Sequence, residues 1–205
     1  MSRPTALLEP LTVFSLIMAY IWQLRYSHRG LWLAILAGII LSHIARREDA
    51  DSLGFHRRKL TECLREFAPA LAFLGLCMIA GGMLFQTTRP LTFGDACLSW
   101  AGYLPWGTFQ QYMLNGYFLK RLTVAMPGRP ASIASALLFS GAHLPNWFLM
   151  VVTLVTGYIC ARIYLRYQNL YFLGIAHATV GFLLLLVVPD SVTHHLVVGP
   201  GWFGH

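Results

Sequence analysis

Charged residues are scarce in this chain of 205 residues, where Asp, Glu, Lys and Arg together make up 11% and apolar residues 57%. Soluble domains carry about 25% charged residues, so the composition excludes an ordinary soluble protein. The apolar runs are long enough to cross a bilayer, which takes roughly 20 residues for each helix. The composition therefore predicts an integral membrane protein that crosses the bilayer several times.

Several other features are also lacking. No small-residue cleavage site follows the first apolar run, which indicates a retained span rather than a signal peptide. The four cysteines have no CxxC spacing and predict neither a zinc knuckle nor a disulfide framework. Basic and aromatic residues are not interleaved as in a nucleic-acid surface, so no nucleic-acid partner is expected. No internal repeat occurs, and we expect a single transmembrane domain over residues 1–205.

The apolar runs predict an all-α, polytopic membrane helix bundle of about seven transmembrane helices, with six to eight as the range. The stretch 46–66 is the one substantial polar loop between them. The predicted spans are residues 5–24, 30–45, 67–86, 98–119, 131–147, 148–166 and 169–188.

Positive charge is distributed unequally between the two sides of this predicted bundle. The side that holds the N-terminus and the 46–66 loop carries twelve Arg and Lys residues, and the opposite side carries three. Cytoplasmic loops are enriched in Lys and Arg, so we expect a cytoplasmic N-terminus and an external tail from Asp190 to His205. The net charge of +7 then reflects topology and attraction to lipid headgroups in the bilayer. We expect the chain to reside in a bacterial inner (cytoplasmic) membrane.

Polar side chains interrupt three successive spans in the second half of the chain. Polar residues at membrane depth are costly and usually face the bundle interior. A lone one commonly makes a helix–helix hydrogen bond worth about 0.6 kcal/mol, but three clusters on three spans predict a shared polar site. Its members are Gln110, Gln111 and Asn115, then His143 and Asn146, and finally His177.

The order of these residues resembles the CAAX protease and bacteriocin-processing (CPBP, or Abi) family of intramembrane endopeptidases. The motifs of that family are EExxxR, FxxxH, and a final HxxxN or HxxxB. Phe139 to His143 reads FSGAH and fits the second motif, and His177 matches the histidine of the third. The resemblance covers about residues 95–190. It implies hydrolysis of a peptide bond in a membrane-embedded or membrane-tethered protein or peptide substrate.

The chain also departs from the family motifs. QQxxxN replaces EExxxR, at Gln110, Gln111 and Asn115, and Gly181 stands where the third motif has asparagine. In the family the first glutamate is thought to activate the attacking water, while the histidines and asparagine position it or hold the oxyanion. A glutamine cannot accept that proton, because a general base must titrate. Glutamine is also a poorer metal ligand than carboxylate, which weakens a zinc mechanism at the two histidines.

No other acid is an evident substitute, because no Asp or Glu lies between Asp95 and Asp190. Glu9 is the only acid inside a predicted span, and it is either a candidate site residue or a glutamate at headgroup level. The remaining base is a histidine, His143 or His177, whose ring titrates near neutral pH.

Two assignments stay open at this point. Asn146 either replaces the missing asparagine of the third motif or caps the helix that begins at Trp147. The chain as a whole is either an endopeptidase with an atypical, amide-containing site or a catalytically inactive relative that acts as a membrane scaffold or immunity factor. Two acids and one base are replaced together by three neutral amides, which leaves no buried charge unpaired. We favour the endopeptidase over the inactive relative, because the two motif histidines and the spacing between the motifs are retained.

Overall fold

In the computed structural model, which describes residues 3–204, each predicted span is largely helical, but the helix of the fifth span ends at Gly141 rather than at residue 147. The described residues contain no β-strand, and the predicted all-α membrane helix bundle is confirmed. A π-helical segment, Tyr112–Leu119, makes α4 and α5 one continuous rod. The α-helices are α1 (Arg3–Ala19), α2 (Leu31–Ala45), α3 (Leu60–Leu84), α4 (Phe93–Gln111), α5 (Lys120–Ala125), α6 (Gly128–Gly141), α7 (Trp147–Tyr167), α8 (Leu170–Val187) and α9 (Asp190–Thr193).

Four of these helical stretches are long and apolar enough to cross a membrane: Arg3–Leu24, Leu60–Leu84, Trp147–Tyr167 and Leu170–Val187. Helix α2 is apolar but shorter. Large apolar side chains of α3 point away from the protein, including Phe73, which is 70% exposed. Such outward apolar faces fit a helix whose surroundings are lipid.

The polar loop between α2 and α3 is shorter than predicted, because residues 60–66 form the first turns of α3. The remaining loop packs on the junction of α7 and α8. Gly54 O accepts a hydrogen bond from Leu170 N at 2.9 Å, and Tyr164 donates its hydroxyl to Leu53 O at 2.9 Å. Gly54 has φ +97°, and a Cβ there would lie 2.8 Å from Gln168 O, so only glycine fits this contact.

Helices α4 and α8 form the close pair that carries Gln110, Gln111 and His177. Small residues let the two backbones approach each other. A Cβ built on Gly107 of α4 would lie 3.0 Å from Ala178 N, and one built on Gly174 of α8 would lie 3.0 Å from Thr108 Cα. Trp100 also donates its indole N–H to Thr179 Oγ1 at 3.1 Å across this pair.

Candidate active site

The glutamine and asparagine of the first motif bond to each other and to a histidine. Asn115 lies one turn after Gln111, and its Nδ2 donates to Gln111 Oε1 at 2.8 Å. Gln111 Nε2 lies 3.0 Å from His177 Nδ1 on α8. Gln111 is 2% exposed and Asn115 is fully buried. The buried amides of Gln111 and Asn115 therefore find their hydrogen-bond partners within the site, with no charged partner among these three residues.

This hydrogen-bond chain has a direction, which sets the tautomer of His177. Because Asn115 Nδ2 donates to Gln111 Oε1, the other end of the amide, Nε2, donates to His177 Nδ1. The neutral ring then carries its proton on Nε2. In this arrangement Asn115 Oδ1 is a fully buried site atom without a hydrogen-bond partner. The reverse arrangement would leave buried amide hydrogens unpaired, which proteins tolerate less than an unpaired carbonyl.

His143 has the opposite tautomer. It lies just beyond the end of α6, and its Nδ1 is 2.8 Å from the carbonyl oxygen of Phe139. A carbonyl oxygen only accepts, so Nδ1 carries the proton and Nε2 of the neutral ring keeps its lone pair. The Phe139 ring lies beside both histidines, with centroids 5.0 Å from His143 and 6.2 Å from His177. The pair therefore presents one acceptor nitrogen and one N–H donor.

Both histidines line a cavity of about 780 Å³ inside the bundle. Its wall is mostly apolar and comes from α1, α2, α3, α4, α6, α7 and α8. Among the described residues that line it there is no Asp, Glu, Lys or Arg. The polar side chains in the wall are Tyr20, Tyr103, Gln110, Gln111, His143, Thr153, Thr156, Cys160 and His177.

The structure thus brings most of the predicted site residues together. Gln111, Asn115 and His177 are joined by hydrogen bonds, and Gln110 and His143 share the cavity with His177. Gln110 stands at the first glutamate position of the family motif, and its amide can hold a water by hydrogen bonds without removing its proton.

Asn146 lies apart from this group. Its Oδ1 accepts from Leu149 N at 3.1 Å, which caps α7. Its Nδ2 donates to the carbonyls of Thr193 and Val197 at 2.9 and 3.1 Å. Every hydrogen-bonding group of this amide is therefore engaged in holding the C-terminal tail to α7, and Asn146 fills the capping role.

A buried ionic cluster near the start of α5 was not predicted from the sequence. The side chain of Arg121 is 2% exposed, with Nε 2.9 Å from Glu9 Oε1 and Nη2 2.7 Å from Glu48 Oε2. Glu9 also accepts from Ser42 at 2.5 Å. Glu9 is thus not a member of the cavity wall but an ion-pair partner of Arg121. The signal for it in the sequence is Arg121, which follows Lys120 at the end of the apolar run that closes at Leu119.

The same cluster holds Glu48 ionised. Burial by itself would raise the pKa of the Glu48 carboxyl, but hydrogen bonds from Arg121 and His43 outweigh it and lower the pKa to about 2. His43 Nδ1 lies 2.7 Å from Glu48 Oε2, and its Nε2 lies 2.8 Å from the Tyr112 hydroxyl. Glu48 therefore carries a full negative charge at neutral pH and balances Arg121.

Metal ligands are sparse at the two histidines. In residues 3–204 no group of three or more His, Cys, Asp or Glu side chains is placed to hold a metal ion. A catalytic zinc takes three protein ligands. The donor set at His143 and His177 therefore does not fit a zinc site.

Residues 92–183 match the model of a protein family described as Rce1-like, type II CAAX prenyl endopeptidase. The matched segment begins just before α4 and ends within α8, so it contains all three motif regions. No curated protein and no solved structure matches the chain.

Proposed function

We propose that the chain is an intramembrane endopeptidase that uses His143 as its base, because residues 92–183 match the model of the type II CAAX prenyl endopeptidase family. The substrate is a membrane-embedded or membrane-tethered protein or peptide whose scissile bond enters the apolar cavity. The observation that carries the proposal is the pair of hydrogen bonds made by Nδ1 of the two histidines in one cavity. They imply opposite tautomers, in which Nε2 of His143 can accept a proton and Nε2–H of His177 can donate.

In the proposed reaction a water molecule held by Gln110 attacks the carbonyl carbon of the scissile bond. His143 Nε2 takes a proton from that water, and the carbonyl oxygen becomes an oxyanion that accepts from His177 Nε2–H. When the carbon–nitrogen bond breaks, the proton on His143 passes to the leaving amine. Donors aimed at a developing oxyanion in a water-poor site are worth more than in solution, which offsets the lack of a carboxylate.

The test is cleavage of a fluorogenic peptide with a farnesylated cysteine followed by three residues, by the protein in lipid nanodiscs. His143→Ala and His177→Ala should each abolish cleavage, while His28→Ala, in the exposed loop between α1 and α2, should not. Because a histidine base works only as the neutral ring, the rate should rise with pH as imidazolium is lost. Cleavage that survives both substitutions would exclude this site as the catalytic one.

A second candidate function is binding without hydrolysis, as a scaffold or immunity factor. The observation that favours it is the absence of any carboxylate from the described cavity wall, since a neutral apolar cavity can hold a lipid-anchored peptide. Wild-type protein that binds the farnesylated peptide, leaves it intact and retains its fold would support this function against the protease.

A further inference from the structure

The position of the missing asparagine is occupied by a side chain from another helix. Gly181 follows His177 by one turn of α8, where the third family motif has asparagine. A Cβ built on Gly181 would lie 2.7 Å from Tyr103 Cε1, 3.3 Å from its Cζ and 3.4 Å from its hydroxyl oxygen. Any side chain at position 181 would therefore overlap the phenol ring, and glycine is required for Tyr103 to lie there.

The Tyr103 hydroxyl has the chemistry that an asparagine amide would supply. A phenol O–H donates one hydrogen bond, as each N–H of an amide does. Its oxygen lies near the Cβ position of residue 181, within the space that an asparagine side chain would reach. Tyr103 lines the same cavity as His143 and His177. In the described part of the chain no protein group hydrogen-bonds this hydroxyl, so it is available to a ligand.

We propose that Tyr103 is a catalytic residue that replaces the third-motif asparagine and donates its hydroxyl hydrogen to the carbonyl oxygen of the scissile bond. It acts beside His177 Nε2–H, so the oxyanion receives two hydrogen bonds. Gly181 and Tyr103 then form a matched pair: α8 carries glycine where the family motif has asparagine, and α4 supplies the phenol hydroxyl in its place. This inference rests on the proposed endopeptidase function.

The first test compares Tyr103→Phe with the wild type in the farnesylated-peptide assay. The substitution keeps the ring against Gly181 and removes only the hydroxyl. Loss of one oxyanion donor typically lowers kcat about 10²-fold or more, and we expect that fall with KM and the thermal unfolding midpoint unchanged. The control is Tyr171→Phe, on α8 but absent from the cavity wall, which should leave kcat unaltered. A merely structural tyrosine would alter the unfolding midpoint and leave kcat intact.

The second test reverses the exchange. Gly181→Asn alone should lower the rate of peptide cleavage, because the new side chain overlaps the Tyr103 ring. Tyr103→Ala alone should also lower the rate, because it removes the hydroxyl donor. The double variant Tyr103→Ala, Gly181→Asn restores an amide donor in the vacated space and should cleave faster than Tyr103→Ala. If the double variant cleaves no faster than Tyr103→Ala and Tyr103→Phe has a normal kcat, Tyr103 is not an oxyanion donor. That result would not affect the proposed endopeptidase function.

A binding measurement separates failure of this inference from failure of the protease. A farnesylated peptide phosphonate carries a tetrahedral anionic group and needs no turnover. If the wild type cleaves nothing, the proposed function fails. Weaker phosphonate binding by Tyr103→Phe, at least tenfold in Kd, would then still support the donor role of Tyr103. Equal binding by the two proteins would reject it.

Discussion

At the scale of single residues, Gln111 controls which nitrogen of His177 carries the proton. Its Nε2 donates to Nδ1, whereas a carboxylate in its place would need a proton on Nδ1. Gln111→Glu should therefore remove the Nε2–H donor of the neutral ring and abolish cleavage. It would also bury a carboxylate beside Asn115 with no cation, at a cost of a few kcal/mol unless the acid stays protonated.

The matched comparison is the triple variant Gln110→Glu, Gln111→Glu, Asn115→Arg, which restores the family motif and its charge balance. We expect it to recover the thermal unfolding midpoint lost by Gln111→Glu, measured in detergent. If Gln111→Glu alone keeps wild-type stability and rate, the amide does not set the tautomer.

Arg121 is the residue whose removal should damage the fold most. Replacing it by Met would remove the buried cation that pairs with both Glu9 and Glu48. Their remaining partners, Arg46 and Lys120, are more exposed. Breaking one partner of a buried ion pair costs about 3–5 kcal/mol, so Arg121→Met should lower the unfolding midpoint strongly. The control Arg58→Met removes an exposed partner of Asp51 and should cost under about 1 kcal/mol. Equal effects of the two substitutions would contradict a buried cluster.

The Glu48 carboxyl gives this cluster a definite pH dependence. Its pKa falls from an ordinary value of 4.5 to about 2 in the folded protein, so its contribution is fully present above 4.5. That contribution decreases as the pH falls towards 2, because the unfolded state takes up the proton first. Glu48→Gln should flatten this part of the stability curve, recorded as the unfolding midpoint from neutral pH downwards. An unchanged slope in the variant would show that Glu48 is not held ionised.

At the scale of helices, the sequence predicted the elements well because each long apolar run could become only a helix in lipid. The predicted start of α3 was wrong, since its first seven residues, 60–66, include the charged Glu62, Arg65 and Glu66 and were assigned to the loop. The convergence of Gln111 with His177 followed from polarity alone. The Tyr103–Gly181 exchange and the Arg121 cluster could not be predicted, because each depends on which helices are neighbours and on their rotation.

The α4–α8 contact is the element-scale feature that creates the site. A Cβ on Gly174 would lie 2.3 Å from Thr108 Oγ1 and 3.0 Å from Thr108 Cα, so Gly174→Ala must push the helices apart near Gln111. We expect a loss of about 1–3 kcal/mol and a fall in cleavage as the hydrogen bond to His177 lengthens. The control is Gly102→Ala, on α4 with open space around it. This substitution should change neither the stability nor the cleavage rate. A Gly174→Ala protein with wild-type stability and rate would refute the close contact.

At the scale of the whole molecule, the helices run so that polar loops collect at two ends. One end joins the loop 46–59 to α5 and to the α7–α8 junction, for example through Lys120 Nζ, which donates to Ser52 O at 2.7 Å. The other end joins residues 85–92 to the C-terminus of α8, where Thr87 donates to Val187 O at 2.7 Å. These contacts place the loop 46–59, α5 and the α7–α8 junction at one end, and residues 85–92 with the C-terminus of α8 at the other.

The orientation of the two ends in the membrane is the last prediction. The end that carries Arg57 collects most of the positive charge, so we propose that it faces the cytoplasm. After replacement of the four native cysteines by serine, Arg57→Cys should be protected from a membrane-impermeant maleimide in intact bacterial cells. Ser27→Cys, in the exposed loop at the opposite end, should be labelled from outside. Permeabilising the cells should expose Arg57→Cys and confirm that its thiol is reactive. Labelling of Arg57→Cys but not Ser27→Cys in intact cells would reverse the orientation and place the loop 46–59, with Glu48, outside.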